Sequence, residues 1–258
     1  MFFHVTELSS AKRASLLFLL KKKAGTFAKK EGWHLCLATM TDKTLIGNIT
    51  DLGNGVRVNL LRSDSVPAPE TFLSTQELMK YASFKIEKRR RDWLGGRYAA
   101  KTLLKKALGL QTPLSAIVIS YDPFGRPVGA GGEITQLLSI THSGPFCAAA
   151  AGPAGAEFIG IDLEKAEPRA GAWYQDYFYK DELPVHDINA ATRLWTQKEA
   201  LLKALGLGLT ADLLDINLMG GIPEFSRAAL KRYEELCKPA FKMATFEPEP
   251  GWYLTVVS

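Results

Sequence analysis

The chain has 258 residues, 47% of them apolar and 23% charged, with a formal net charge of +5. That length supports one large domain or two modest ones, and the composition excludes disordered, collagen-like and coiled-coil chains. No apolar run approaches the ~18 residues that a membrane span needs, and three scattered cysteines (Cys36, Cys147, Cys237) form neither a disulfide framework nor a C-x-x-C zinc motif, so a reducing, cytoplasmic setting is expected.

The charge is unevenly placed. Residues 1–30 hold seven Lys/Arg (Lys12, Arg13, Lys21, Lys22, Lys23, Lys29, Lys30) against the single acid Glu7, so the pI near 9.0 belongs to a basic N-terminal extension, residues 1–31, and not to the body. Leu16–Leu20 is too short an apolar core for a secretory signal, and Lys21–Lys23 stand where cleavage would occur. A solvated basic helix or arm is the expectation there.

Strands are expected at 33–40, 43–50 and 56–62, with Asn54-Gly55 as a hairpin turn between the last two. A helix is expected from about Ser83 to Leu108, where Trp93, Gly96, Ala100, Leu103 and Ala107 recur at spacings of three and four and Gly109 stops the pattern. A β-branched strand at 116–121 precedes the turn Asp122-Pro123-Phe124-Gly125, and further strands are expected at 137–141, 146–150 and 158–164. Asp187 is a candidate N-cap for a helix through Ala204, ended by Gly206 and Gly208, and strands at 240–246 and 252–257 close the chain. The mixture, rich in hairpin-like pairs, predicts an α+β fold. KTLLKKALGL at Lys101–Leu110 and KEALLKALGL at Lys198–Leu207 agree at seven of ten positions. Read as homology, this makes the chain two similar α/β halves with a site at their junction; read as chance, it reflects common helix residues.

Four groups of residues carry chemistry. In Gly160-Ile161-Asp162-Leu163-Glu164 the period of a strand puts both acids on one face, where they repel unless a cation lies between them; hard oxygen ligands favour Mg²⁺ or Mn²⁺, and a solvated pair at a sheet edge is the alternative. In Trp195-Thr196-Gln197-Lys198-Glu199-Ala200-Leu201-Leu202-Lys203, Glu199 and Lys203 are one helical turn apart. They form a surface ion pair, or else a third carboxylate and a phosphate contact. Ser139–Gly144 ends a strand in hydroxyls, His142 and a glycine, which suits an anion as well as a structural hydrogen bond. Between Lys80 and Lys106 there are ten Lys/Arg and two acids. Most belong to a solvated face, and one or two are able to grip phosphate. No Walker A or G-x-G-x-x-G sequence is present.

In this order the motifs resemble the 4′-phosphopantetheinyl transferase superfamily, in particular its two-halved Sfp-type class. The family signature G-x-D-x-E followed by W-x-x-K-E-x-x-x-K is matched by Gly160, Asp162, Glu164, Trp195, Lys198, Glu199 and Lys203. Gly125-Arg126-Pro127, Ser139–Ser143 and Gly96-Arg97 match its upstream elements, with Thr141 in place of the usual serine. The resemblance spans roughly 84–210. It implies halves at 32–144 and 145–258 related by a pseudo-twofold axis, with the active site at their junction. It also implies transfer of the phosphopantetheine arm of coenzyme A to a serine of an apo acyl or peptidyl carrier protein, with release of 3′,5′-ADP.

By the resemblance, Asp162, Glu164 and Glu199 are the metal ligands for Mg²⁺, with Mn²⁺ the alternative, and Glu199, Lys203 and Asp162 are catalytic. Arg91, Arg97, Arg126, Thr141, His142 and Lys203 bind coenzyme A, and a monomer suffices. The alternative within this frame is a non-catalytic protein that binds carrier domains or coenzyme A. Nucleic-acid binding is not expected, because the body is near neutral and no aromatics interleave the basic run.

Overall fold

The computed structural model describes residues 34–40, 43–131, 134–183, 185 and 187–258. The basic extension expected at 1–31 lies outside them. After the first strand, β1 (His34–Met40), the chain runs through β2 (Ile49–Asp51) and β3 (Arg57–Arg62). Asn54 and Gly55 between the latter two both have positive φ (51° and 78°), as the two-residue turn expected at that dipeptide requires. Helices α1 (Thr75–Ala82) and α2 (Glu87–Ala107) follow, then β4 (Val118–Tyr121), β5 (Pro127–Gly131), β6 (Ile134–Ser143) and β7 (Phe146–Ala151). The second part holds β8 (Gly160–Lys165), α3 (Gly171–Tyr177), α4 (Ile188–Leu205), β9 (Ile216–Asn217), β10 (Glu224–Phe225), α5 (Arg227–Glu235), β11 (Lys242–Phe246) and β12 (Trp252–Val257).

Two sheets carry the fold. One has the order β2-β3-β7-β6-β5-β4, the other β1-β11-β12-β8. The block β3-β7-β6 and the block β8-β12-β11 are built alike, each an antiparallel strand pair plus the second strand of a hairpin. Each block has a long helix inserted after its first strand, α2 in one and α4 in the other. The fold is therefore α+β with two similar halves, and the echoed decapeptides sit at equivalent helix ends. Sheet membership divides the chain between β7 and β8, not at residue 144: β7, expected in the second half, is paired on both edges within the first sheet. β1, expected in the first half, runs parallel to β11 in the second sheet.

The layers follow from side-chain alternation. Val58, Leu60, Phe146, Ala148 and Ala150 of the first sheet meet Ile161, Leu163, Leu254 and Val256 of the second, so the sheets pack face to face. Ala99, Ala100, Leu103 and Leu104 of α2 cover the outer face of the first sheet, and Ala200, Leu201, Ala204 and Leu205 of α4 cover that of the second. Asp187 caps α4, accepting a hydrogen bond from the Ala190 amide at 2.7 Å, and Gly206 ends it in the left-handed region at φ 75°. No helix among the described residues is long and apolar enough to cross a membrane.

Candidate active site

The close approach of α4 to β8 is what builds the site. A Cβ placed on Gly160 would lie 1.9 Å from the Ala200 carbonyl oxygen, so only glycine lets the helix backbone settle on the strand there. Two residues further on, Asp162 faces the helix and is buried. Its Oδ1 accepts hydrogen bonds from Lys203 Nζ at 2.7 Å and Thr141 Oγ1 at 3.1 Å. Lys203 also donates to the Ile161 carbonyl at 3.1 Å. Lys203 therefore reaches across to the strand acid, and the surface ion pair with Glu199 that the helical spacing allowed is not formed.

The three acids are electrostatically crowded. Burial first, then repulsion from Asp162, pushes Glu164 up to about 7, against a hydrogen bond from Ser143 Oγ at 3.3 Å. Burial and Asp162 also push Glu199 up to about 7, opposed by Lys203. Asp162 Oδ2 is buried with no hydrogen-bond partner. An orphaned carboxylate oxygen beside two acids held near neutrality is the donor chemistry that a hard divalent cation would satisfy. The described residues do not close into a ready-made metal cage, and Lys203 holds the other Asp162 oxygen.

Beside Lys203 opens a cavity of about 940 Å³, lined by α2, the β4–β5 turn, β6 and the C-terminal end of α4. Its wall carries Lys80, Lys88, Arg89, Arg97, Arg126 and Lys203 with His142, and Asp92 is the one acid among the described residues that line it. Such a volume and charge suit an anionic, nucleotide-sized ligand. Arg97 is positioned by the Ile119 carbonyl (3.3 Å) and the Tyr121 hydroxyl (3.2 Å), and its guanidinium lies over the Trp93 and Tyr121 rings. Arg126 is held by Asp122 Oδ2 at 2.8 Å and donates to the Glu157 carbonyl at 2.6 Å, tying the turn to the second half. His142 Nδ1 stands 3.6 Å from Asp92 Oδ2, which Lys88 also engages at 2.7 Å. Burial, opposed by Asp92 and aided by Lys88 and Lys203, lowers the pKa of His142.

A model of the 4′-phosphopantetheinyl transferase superfamily matches residues 158–244, the part that holds β8 and α4. The holo-[acyl-carrier-protein] synthase of Staphylococcus carnosus is 34% identical over 96 residues, which cover 36% of this chain and 82% of that protein. The chain belongs to the 4′-phosphopantetheinyl transferase superfamily. Its two similar halves fit the two-halved architecture that the sequence resemblance implies. The L-aminoadipate-semialdehyde dehydrogenase-phosphopantetheinyl transferase of Schizosaccharomyces pombe is 27% identical over 140 residues, and the chain spans about half of it (54%) and matches with 45% of its own length. A holo-(acyl-carrier-protein) synthase from Bacillus anthracis, solved in complex with CoA (3′,5′-ADP), superposes on 38% of this chain and 93% of its own, with a TM-score of 0.34 and 24% identity. The synthase from Thermotoga maritima gives 51%, 76%, 0.32 and 22%.

Of the residues singled out by sequence for this superfamily member, Arg97, Arg126, His142 and Lys203 line the cavity. Asp162, Glu164, Glu199 and Thr141 lie behind Lys203, with Thr141 bonded to Asp162 rather than facing the cavity. Arg91 does not line the cavity; it is half exposed, 3.9 Å from Asp92. Lys88, Asp92 and Gly96 stack at steps of four on the α2 face that does, and Arg89, Trp93 and Arg97 form the adjacent row. That periodicity is readable in the sequence and singles out Lys88 and Arg89, which the reading by resemblance missed.

Proposed function

We propose that this enzyme transfers the 4′-phosphopantetheine arm of coenzyme A to a serine hydroxyl of an apo carrier protein, in a magnesium-dependent reaction that releases 3′,5′-ADP. The observation that carries the reading is the union of three acids, Asp162 and Glu199 buried and Glu164 partly so, with a basic cavity through Lys203. Asp162, Glu164 and Glu199 would hold Mg²⁺, or Mn²⁺, which supplies neutralisation of pyrophosphate charge when bound. Glu199, poised near neutrality, accepts the serine proton as the serine oxygen bonds to the β-phosphorus. The bond from that phosphorus to the bridging oxygen breaks, and the electron pair leaves on 3′,5′-ADP. Lys203 is placed to leave Asp162 for the departing phosphate, and Thr141 keeps Asp162 oriented while it does so. Arg97, Arg126, Lys88, Arg89 and His142, all in the cavity wall, bind the phosphates.

Intact mass of several apo carrier proteins, after incubation with coenzyme A and Mg²⁺ or with EDTA, tests the reading. Gain of the arm only with the metal is expected; a chain that binds coenzyme A but modifies none of the carriers would be a binding protein.

A further inference from the structure

Both copies of the echoed decapeptide begin at a lysine, and both lysines are completely buried. Lys198 Nζ donates to the Tyr177 carbonyl at 3.3 Å and to Glu182 Oε2 at 2.7 Å. Lys101 Nζ donates to the Phe72 carbonyl at 3.1 Å and to the Glu77 carboxylate. The acceptor segments repeat as well. Tyr179 donates its amide to Glu182 Oε2, and Ser74 donates its amide to Glu77 Oε2, both at 3.0 Å. Carbonyl, amide and carboxylate thus fall on Phe72, Ser74 and Glu77 in one half and on Tyr177, Tyr179 and Glu182 in the other, at the same spacing. The decapeptides share seven letters, whereas these segments share the geometry and a single letter, the glutamate.

A buried ammonium needs every partner it has, so such a pair fixes the roll and height of its helix against the segment before it. What each helix carries next to its lysine differs. Glu199 follows Lys198 and belongs with the acids of β8. Thr102 follows Lys101 and accepts a hydrogen bond from Asn59 at 2.7 Å. The first pair reaches the ligand cavity instead: Glu77 Oε1, buried and without a hydrogen bond, lies 4.0 Å from Arg97 Nε.

We propose that the two buried pairs are one duplicated positioning device with divided tasks: Lys198–Glu182 sets Glu199 against Asp162, and Lys101–Glu77 sets Arg97 in the cavity wall. Neither lysine touches substrate. The assignment rests on the reading of the acids as a divalent-cation site and of the cavity as the coenzyme A site. Packing alone predicts otherwise, since two equivalent buried pairs would then fail alike.

The test uses K198M/E182Q and K101M/E77Q in the full chain. Each removes both charges, so no ion is left stranded. Glutamine keeps one acceptor, enough for the Ser74 amide in E77Q and the Tyr179 amide in E182Q; the Leu218 amide, which Glu182 Oε1 also accepts at 2.6 Å, loses its partner in E182Q. Two equilibria are read by calorimetry: Mn²⁺ binding, and coenzyme A binding in EDTA. For K198M/E182Q we expect Mn²⁺ affinity to fall about 10-fold or more, the usual cost of disturbing the support of a metal ligand, with coenzyme A affinity within about twofold. For K101M/E77Q we expect coenzyme A affinity to fall about fivefold, from the loosened Arg97, with Mn²⁺ affinity within about twofold. Equal losses in both readouts for both variants, or lower melting points with neither affinity moved, would overturn the proposal. If a double variant does not fold, E182Q and E77Q alone supply the same contrast, and its absence there is equally decisive. Absence of Mn²⁺ binding by the wild type would overturn the metal reading instead; the coenzyme A arm then decides for or against the device by itself.

Discussion

Glu164 and Glu199 both titrate near neutrality because burial and the Asp162 charge oppose their ionisation. In the unfolded chain they ionise near the ordinary glutamate value, so between about pH 4.3 and 7 the folded state holds protons that the unfolded state has lost. Stability from these two groups is therefore greatest below that window, falls as pH rises through it, and is lowest above pH 7. Metal-free enzyme is expected to melt at lower temperature at pH 8 than at pH 6, and Mg²⁺ to reverse the deficit at pH 8. A thermal scan with and without EDTA at both values checks it; a melting temperature that rises steadily from pH 6 to 8 without metal would contradict the burial of these charges. In the same place Glu199→Gln should fold, since a neutral side chain already suits the site, yet lose at least about 10²-fold in transfer rate. A rate within a few-fold of wild type would remove Glu199 from the chemistry. The acids were legible because D-x-E on a strand and K-E-x-x-x-K on a helix impose their own geometry. The bond from Lys203 to Asp162 was not, because it spans 41 positions and depends on α4 settling on β8. Thr141 was legible as a hydroxyl near the site but not as a partner of Asp162, for the same reason.

At the scale of elements, that settling hangs on Gly160. A methyl group there meets the Ala200 backbone, which cannot turn aside as a side chain could. Gly160→Ala should cost about 1–3 kcal/mol or more in overpacking, equivalent to a melting point lower by roughly 2–12 °C for a chain of this size. It should also slow transfer through the displaced Glu199 and Lys203. An unchanged melting curve would show that the helix has room to retreat. Asp187→Ala, at the other end of the same helix, removes the bond to the Ala190 amide and should cost about 1 kcal/mol. It should do so without a change in rate, because the cap lies three turns from Glu199. The two long helices were readable from their apolar stripes, caps and terminal glycines. Helix α1 was not read from its stripe, although Ser74 and Glu77 form a reciprocal capping box that marks its start. Helices α3 and α5 are seven and nine residues long. Two turns are too few for a periodic signal to stand out, and packing supplies the rest of their stability.

At the scale of the whole molecule, the described residues form two sheet-and-helix halves closed face to face, and the cavity draws its wall from both. Arg126 belongs to the first half by its turn and to the second by its bond to Glu157; its stem packs 3.0 Å from where a Cβ on Gly206 would stand, so the glycine that ends α4 also makes space for it. The sequence repeat disclosed that there are two halves but not where they divide, because β7 completes the first sheet through pairings that no local pattern records. A ligand that spans such a junction stabilises the whole fold by mass action. At 100 times its dissociation constant it adds about 2.7 kcal/mol, or roughly 5–10 °C for a chain of this size. Coenzyme A should produce that shift, and dephospho-coenzyme A at equal concentration a clearly smaller one, because charged hydrogen bonds to the 3′-phosphate contribute about 1.5–3 kcal/mol each. The double variant Arg126→Ala, His142→Ala should shrink the gap between the two donors more than it weakens dephospho-coenzyme A. The competing account keeps Arg126 as a strut between the halves and His142 as a partner of Asp92. It predicts that the variant lowers the unliganded melting point and leaves the gap intact. In that case Lys88, Arg89 and Arg97, on the facing rows of α2, are the next candidates to read the phosphate.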